Sequence, residues 1–182
     1  MAPSEHIQSR PLALHSYVAN DVLEILRQRD WLTTNPTPGQ TAWCERAASL
    51  LGQFAVDGQG LAELLRLIFE YDAGEVLKRV DAHAVLARHG ARDVIRHLAL
   101  QLLDPAPFTS DRFKEVITAL KESLDLRGRD LFHPIRLSLA GRAGEGELDR
   151  VILLLDDAAV LPFAIEVKST RTRMVEFCAA LD

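Results

Sequence analysis

Along most of the chain, apolar residues return every three or four positions, the repeat that places them on one face of an α-helix. In LALHSYVANDVLEILRQRDWL, Leu14, Val18, Val22 and Ile25 form one stripe, with Leu26 and Leu32 beside it. TTNPTPGQ interrupts this pattern, because two prolines and a glycine in so short a run cannot continue a helix. Thr41 is the expected N-cap of the next helix, in which Trp43, Ala47, Leu50 and Phe54 face inward. After DGQG, Leu61, Leu64, Leu65, Ile68 and Phe69 repeat at helical spacing. From Gly74 to Leu103 the pattern stays helical, with one interruption at His89-Gly90 and a clear face of Val94, Ile95, Leu98 and Leu102.

The second half follows the same rule. DPAPFTSD is a linker in which Pro105 and Pro107 end one helix and Ser110 caps the next. Phe113, Val116, Ile117, Leu120 and Leu124 line that helix, and Gly128 is expected to close it. Pro134 fits the first turn of a short helix, HPIRLSLAG, stopped at Gly141. RAGEG leads into ELDRVILLLDD, where Leu148, Val151, Ile152 and Leu155 align. A final helix should begin at Ser169 or Thr170 and pack through Met174, Val175, Phe177, Cys178 and Leu181. Between the last two helices, Leu161 to Val167 reads as a short connection, pinned to the core by Phe163 and Ile165. The expected fold is therefore all-α, a cage or bundle of about seven to nine helices. The linker at Pro105 to Phe108 divides the chain into helical subdomains 1–105 and 106–182, together one module.

Composition narrows the class. Of 182 residues, 48% are apolar, enough for a core of the chain's own. No apolar run reaches membrane-spanning length, and the first residues lack the basic and apolar regions of a secretory signal. Cys44 and Cys178 have no metal-ligand neighbours and fall on apolar helix faces, as reduced core residues of a cytoplasmic protein would. The six histidines form no metal-binding pair. With 21 basic against 26 acidic residues the formal charge is −5, which argues against tight non-specific nucleic-acid binding but leaves room for a local basic patch.

One short stretch points elsewhere. FAIEVKST ends an apolar run with Glu166-Val167-Lys168, the acid-x-lysine core of a metal-dependent nuclease, and GELD lies upstream. Asp149, Glu166 and Lys168 would be the acting residues, with Asp156 or Asp157 as further carboxylates. Such a site needs carboxylates on adjacent strands around a divalent metal. The segment carrying Asp149 has helical rather than strand periodicity, and helices alone precede it. The alternative reading is a connection with Glu166 and Lys168 in solvent.

The stretch LFHPIRLSLAGRAGEGELDRVILLLD, Leu131 to Asp156, resembles the C-terminal anticodon-binding region of bacterial glutamyl-tRNA synthetases. Pro134, Arg136, Leu139 and Gly141 match the family's proline-x-arginine core and glycine stop. FTSDRFKEVITALKESLDLRGRDLF and WCERAASLLGQFAVDGQGLAELLRLIFEYD resemble its preceding helices. The resemblance implies a helical cage that binds the anticodon arm of a tRNA, with Arg136 and the loop after Gly141 toward the RNA. On that basis Arg136, Arg142, Arg129, Lys168, Arg171 and Arg173 are the candidate tRNA-binding residues, and Trp31 and Trp43 are candidates for base stacking. The family's catalytic part carries HIGH-type and KMSKS-type motifs. Neither occurs here, nor does any glycine-rich phosphate loop, so no cofactor or metal is expected and the chain by itself would not activate glutamate. The chain is then expected to be either a fragment of a larger synthetase or a free-standing relative of its anticodon-binding part, with a separate synthetase catalytic protein as partner in the second case. The loop also departs from the family: Ala140 stands where threonine is usual, and Glu145, Glu147 and Asp149 would repel phosphate. A helical protein-interaction or regulatory module that has lost RNA binding is the second reading, and the nuclease the third.

Overall fold

The computed structural model describes residues 16–182. Among them are ten α-helices, nine of seven residues or more, and no strand. They are α1 (Ala19–Gln28), α2 (Pro38–Leu51), α3 (Gly58–Phe69), α4 (Ala73–Leu77), α5 (Val80–Leu86), α6 (Ala91–Gln101), α7 (Ser110–Leu124), α8 (Arg129–Ala140), α9 (Gly146–Ala159) and α10 (Thr170–Leu181). A 3₁₀ turn, Gly52–Phe54, follows α2. The all-α expectation therefore holds. One continuous apolar core runs through the molecule, with α9 central to it: α9 packs on α2, α3 and α8, and Leu148, Val151, Ile152, Leu154 and Leu155 on it are fully enclosed.

Several boundaries differ from those the pattern suggests, each for a local reason. The first helix begins at Ala19, so Val18 is its exposed N-cap position, and Leu14 lies outside the described residues. The second begins at Pro38 rather than after Thr41. Thr37 caps it, accepting from the Gln40 amide at 3.2 Å while Gln40 Oε1 accepts from the Thr37 amide at 2.8 Å. Phe54 falls past the helix end and is exposed, leaving Trp43, Cys44, Ala47, Ala48 and Leu51 as the buried face. Between Gly74 and Leu103 there are two breaks, since Lys78 and Arg79 separate α4 from α5. Thr109, not Ser110, caps α7, and Asp125 in the left-handed region closes it. Gly128 instead opens α8. Pro134 consequently lies inside α8, five residues after its start, and deletes one helical hydrogen bond there.

Gly141 ends α8 as expected, at φ 83°, a conformation that a Cβ would strain. Ser169 caps α10. On α10, Met174 and Phe177 are buried and Cys178 is half-buried, but Val175 faces solvent. The 161–167 connection is held by Phe163, which packs edge-on against Trp43 and Phe69 at 5.3 and 5.1 Å, and by the Ala164 amide donating to the Trp31 carbonyl. Ile165 is not part of that anchor; it is largely exposed.

Candidate functional site

The end of α8, the loop 141–145 and the start of α9 bring three of the six candidate basic residues together. Arg136 leaves α8 toward α9 and is only 7% exposed. Its Nε and Nη2 donate to the two carboxylate oxygens of Asp149, both at 2.8 Å, a bidentate pair of the strongest geometry available to arginine. Its Nη1 donates to the Gly144 carbonyl at 2.7 Å and lies 3.9 Å from the Glu145 carboxylate. The guanidinium also sits 4.8 Å from the centre of the Phe132 ring. Arg129, at the exposed first position of α8, approaches Glu145 from the other side at 3.7 Å. Arg142 occupies the loop between Gly141 and Gly144. It is half-exposed, lines a cavity of about 440 Å³ with Tyr71, Glu70 and Lys78, and has no ion-pair or hydrogen-bond partner among the described residues.

The other three candidates are placed differently. Arg173 is fully buried, the largest charged side chain in the core. It donates to the carbonyls of Leu67 and Leu139 at 2.9 Å, Ile68 at 2.6 Å and Lys168 at 3.1 Å. The Leu67, Ile68 and Leu139 carbonyls lie at the C-terminal ends of α3 and α8, and that of Lys168 just before α10, so the partial negative charge of two helix ends stabilises the guanidinium where no carboxylate contacts it. Tyr71 stacks on Arg173 at 4.5 Å and donates its hydroxyl to the Ser138 carbonyl at 2.6 Å. Burial lowers the Arg173 pKa to about 10, which still leaves it charged at neutral pH, and burial raises that of Tyr71. Lys168 bridges the Tyr71 carbonyl at 3.1 Å and the Glu176 carboxylate at 2.7 Å. Arg171 is exposed and lines a separate cavity of about 280 Å³ with Leu102, Pro105, Pro107 and Val160. Lys168, Arg171 and Arg173 therefore do not form one basic cluster. Lys168 and Arg173 meet at Tyr71, behind the 141–145 loop, and Arg171 stands apart.

Trp31 and Trp43 have no ring face open to a base. Trp31 stacks on Phe69 at 4.6 Å, and Trp43 donates its indole N–H to the Leu154 carbonyl at 3.1 Å. On the exposed flank of α8, Nδ1 of His133 faces Nη1 of Arg88 at 3.2 Å, so it accepts and the proton sits on Nε2. Burial first, then the Arg88 charge, holds its pKa below the ordinary histidine value, and the ring is neutral at pH 7.

The metal-nuclease expectation meets a different geometry. Asp149 is on a helix and committed to Arg136. Glu166 is exposed on the 161–167 connection, and no strand carries either residue among the described residues. Asp156 holds the Phe108 amide and the Thr170 amide at 2.8 Å each, and Asp157 pairs with Arg46. Among the described residues no three His, Cys, Asp or Glu side chains gather where a metal ion would sit, and no helix is long and apolar enough to cross a membrane.

The sequence marks Asp149 as a nuclease carboxylate or as an acidic loop residue that would repel phosphate, and does not pair it with Arg136. Nor does it single out Gly144, Phe132 or Tyr71. The Arg136–Asp149 spacing spans a loop, so no helical repeat announces it.

The loop and the helices on either side of it lie within a span matched by a protein family. The profile of the anticodon binding domain matches residues 18–161. A glutamate–tRNA ligase of Exiguobacterium sibiricum is 27% identical over 139 residues, 76% of this chain and 28% of that protein. One from Geobacillus thermodenitrificans is 30% identical over 122 residues, 67% of the chain and 24% of the ligase. Glutamate–tRNA ligase 2 of Syntrophus aciditrophicus is 38% identical over 81 residues, 44% of the chain and 16% of the ligase. The chain thus spans about a quarter or less of the length of most of these relatives, and no solved structure matches it significantly. The profile covers α1 to α9 and includes the arginine-bearing end of α8 with its loop, so the chain belongs to the anticodon-binding domain family.

Proposed function

We propose that this chain binds the anticodon arm of a tRNA, as a recognition module that serves a synthetase catalytic body in the same or a separate chain. The observation that carries the reading is the loop 141–145. It sits in the part of the chain matched to the anticodon-binding family, and between Gly141 and Gly144 it presents Arg142, a guanidinium with no partner among the described residues. Arg129 at the start of α8 is the second exposed cation on that side. Phosphate oxygens are the expected first partners of such exposed arginines, with splayed bases read afterwards on their edges. Arg171 and Lys168 are peripheral in this reading.

The net charge of −5 predicts modest affinity that collapses with salt. A transcribed glutamate tRNA, titrated by fluorescence anisotropy from low to physiological salt, should bind with a negative slope of log affinity against log salt. Arg142→Gln should shallow that slope by about one unit. Absence of binding at low salt would end the reading and leave the family's helical scaffold in a protein-binding role.

A further inference from the structure

We infer that Arg136 is a positioning residue, not a nucleotide contact: with Asp149 it clamps the 141–145 loop so that Arg142 meets the RNA already ordered. The inference rests on the tRNA-binding reading above. Its grounds are geometric. The Arg136 guanidinium is satisfied by Asp149 on two sides and by the Gly144 carbonyl on a third, and Phe132 covers a face of it. To touch phosphate it would have to abandon a buried bidentate pair and strand the Asp149 carboxylate, which is itself only 20% exposed. What the arginine does reach is the loop backbone. Gly144 also lies close over α9: a Cβ there would come within 2.7 Å of the Leu148 side chain, so only glycine fits without a shift. The loop is thus held at Gly141 by the left-handed helix stop and at Gly144 by Arg136, and Arg142 lies in the short span between the two. A loop ordered before binding pays less entropy on binding, and that is how a buried residue strengthens an interaction it does not make.

Removing Asp149 distinguishes a clamp from a contact by sign. If Asp149 merely neutralised an RNA-contacting arginine, Asp149→Asn would free a cation and tighten RNA binding. As one half of a clamp, its loss should weaken binding. The experiment titrates the full chain and its Asp149→Asn, Arg136→Gln and Arg142→Gln variants with transcribed glutamate tRNA across salt. Amide hydrogen exchange of residues 142–145 is followed in the RNA-free proteins.

Expected are a roughly three- to tenfold loss of affinity for Asp149→Asn and for Arg136→Gln with the salt slope unchanged, a slope reduced by about one unit for Arg142→Gln only, and faster loop exchange in both clamp variants. Arg136→Lys is the control for charge, and circular dichroism of each variant is the control for folding. Arg136→Lys keeps the charge but cannot bridge Asp149 and Gly144 together, and it should weaken binding like Arg136→Gln. Tighter binding by Asp149→Asn, a slope reduced by Arg136→Gln, or unchanged loop exchange in the clamp variants would overturn the inference while leaving the tRNA-binding reading standing. No binding by the unaltered chain at low salt would overturn both.

Discussion

Arg173→Ala is expected to cost about 4 kcal/mol of stability, the largest single loss expected of any charged residue among those described. The substitution removes the donors that satisfy the Leu67, Ile68, Leu139 and Lys168 carbonyls, drawn from α3, α8 and the segment before α10. Each carbonyl left buried without a donor costs roughly 1–3 kcal/mol, reduced where water enters the vacated space. Tyr71 also loses the guanidinium it stacks on. Replacement of a buried ion pair by apolar side chains is often harmless, because both charges leave together. Here the partners are backbone carbonyls, which no substitution removes, so Arg173→Met should be nearly as damaging as Arg173→Ala. Arg173→Lys restores the charge but not the planar fork, and should recover less than half. Urea unfolding followed by the fluorescence of buried Trp31 and Trp43 gives the measurement. A loss below about 1 kcal/mol for Arg173→Ala would mean that the arginine does not hold these helix ends together.

Asp156→Ala should cost about 3 kcal/mol. From the last turn of α9 its carboxylate accepts the Phe108 amide at 2.8 Å, the Thr170 amide at 2.8 Å and the Thr170 hydroxyl at 3.1 Å. One side chain thereby fastens both the linker before α7 and the first turn of α10. The carboxylate also sits at the N-terminal end of α10, where the helix dipole favours negative charge. Phe108 is nearly fully buried beside the linker, so releasing its amide loosens an apolar anchor as well. Asp156→Asn keeps an acceptor oxygen and should lose about 1 kcal/mol. Calorimetric unfolding of the two variants beside the unaltered chain reads the difference directly; an Asp156→Asn variant as stable as the unaltered chain would show that the charge and the second oxygen contribute nothing.

The features legible in the sequence are those decided within one turn of chain. Gly141 announces a helix stop because only glycine rests easily at its φ of 83°. Ser169-Thr170 announces a helix start because a hydroxyl there accepts from an amide three residues on. Where two local signals competed, the pattern chose the nearer one. Thr41 and Thr37 both precede the apolar stripe of α2, and the capping box with Gln40 settles it at Thr37. Pro134 suits a first turn, but Gly128 lets the helix begin earlier, with Pro134 inside.

The roles of the arginines were out of reach for a different reason. Arg136, Arg142 and Arg173 look alike in sequence, and what separates them is distance in the chain to their partners. Arg173 is satisfied by carbonyls more than a hundred residues away on α3, and Arg136 by a carboxylate across a loop. No periodicity encodes such pairs. The resemblance to the synthetase family drew attention to the end of α8 and the loop after it, and only the folded chain distinguishes the buried Arg136 from the half-exposed Arg142.

Hydroxyl-radical footprinting of a transcribed glutamate tRNA, with and without the protein at low salt, is the most direct test of whether the 141–145 face meets the anticodon arm. Protection confined to the anticodon loop and adjoining stem, and weakened by Arg142→Gln, is expected. Protection of the acceptor end instead, or none at protein concentrations that saturate binding, would rule that contact out.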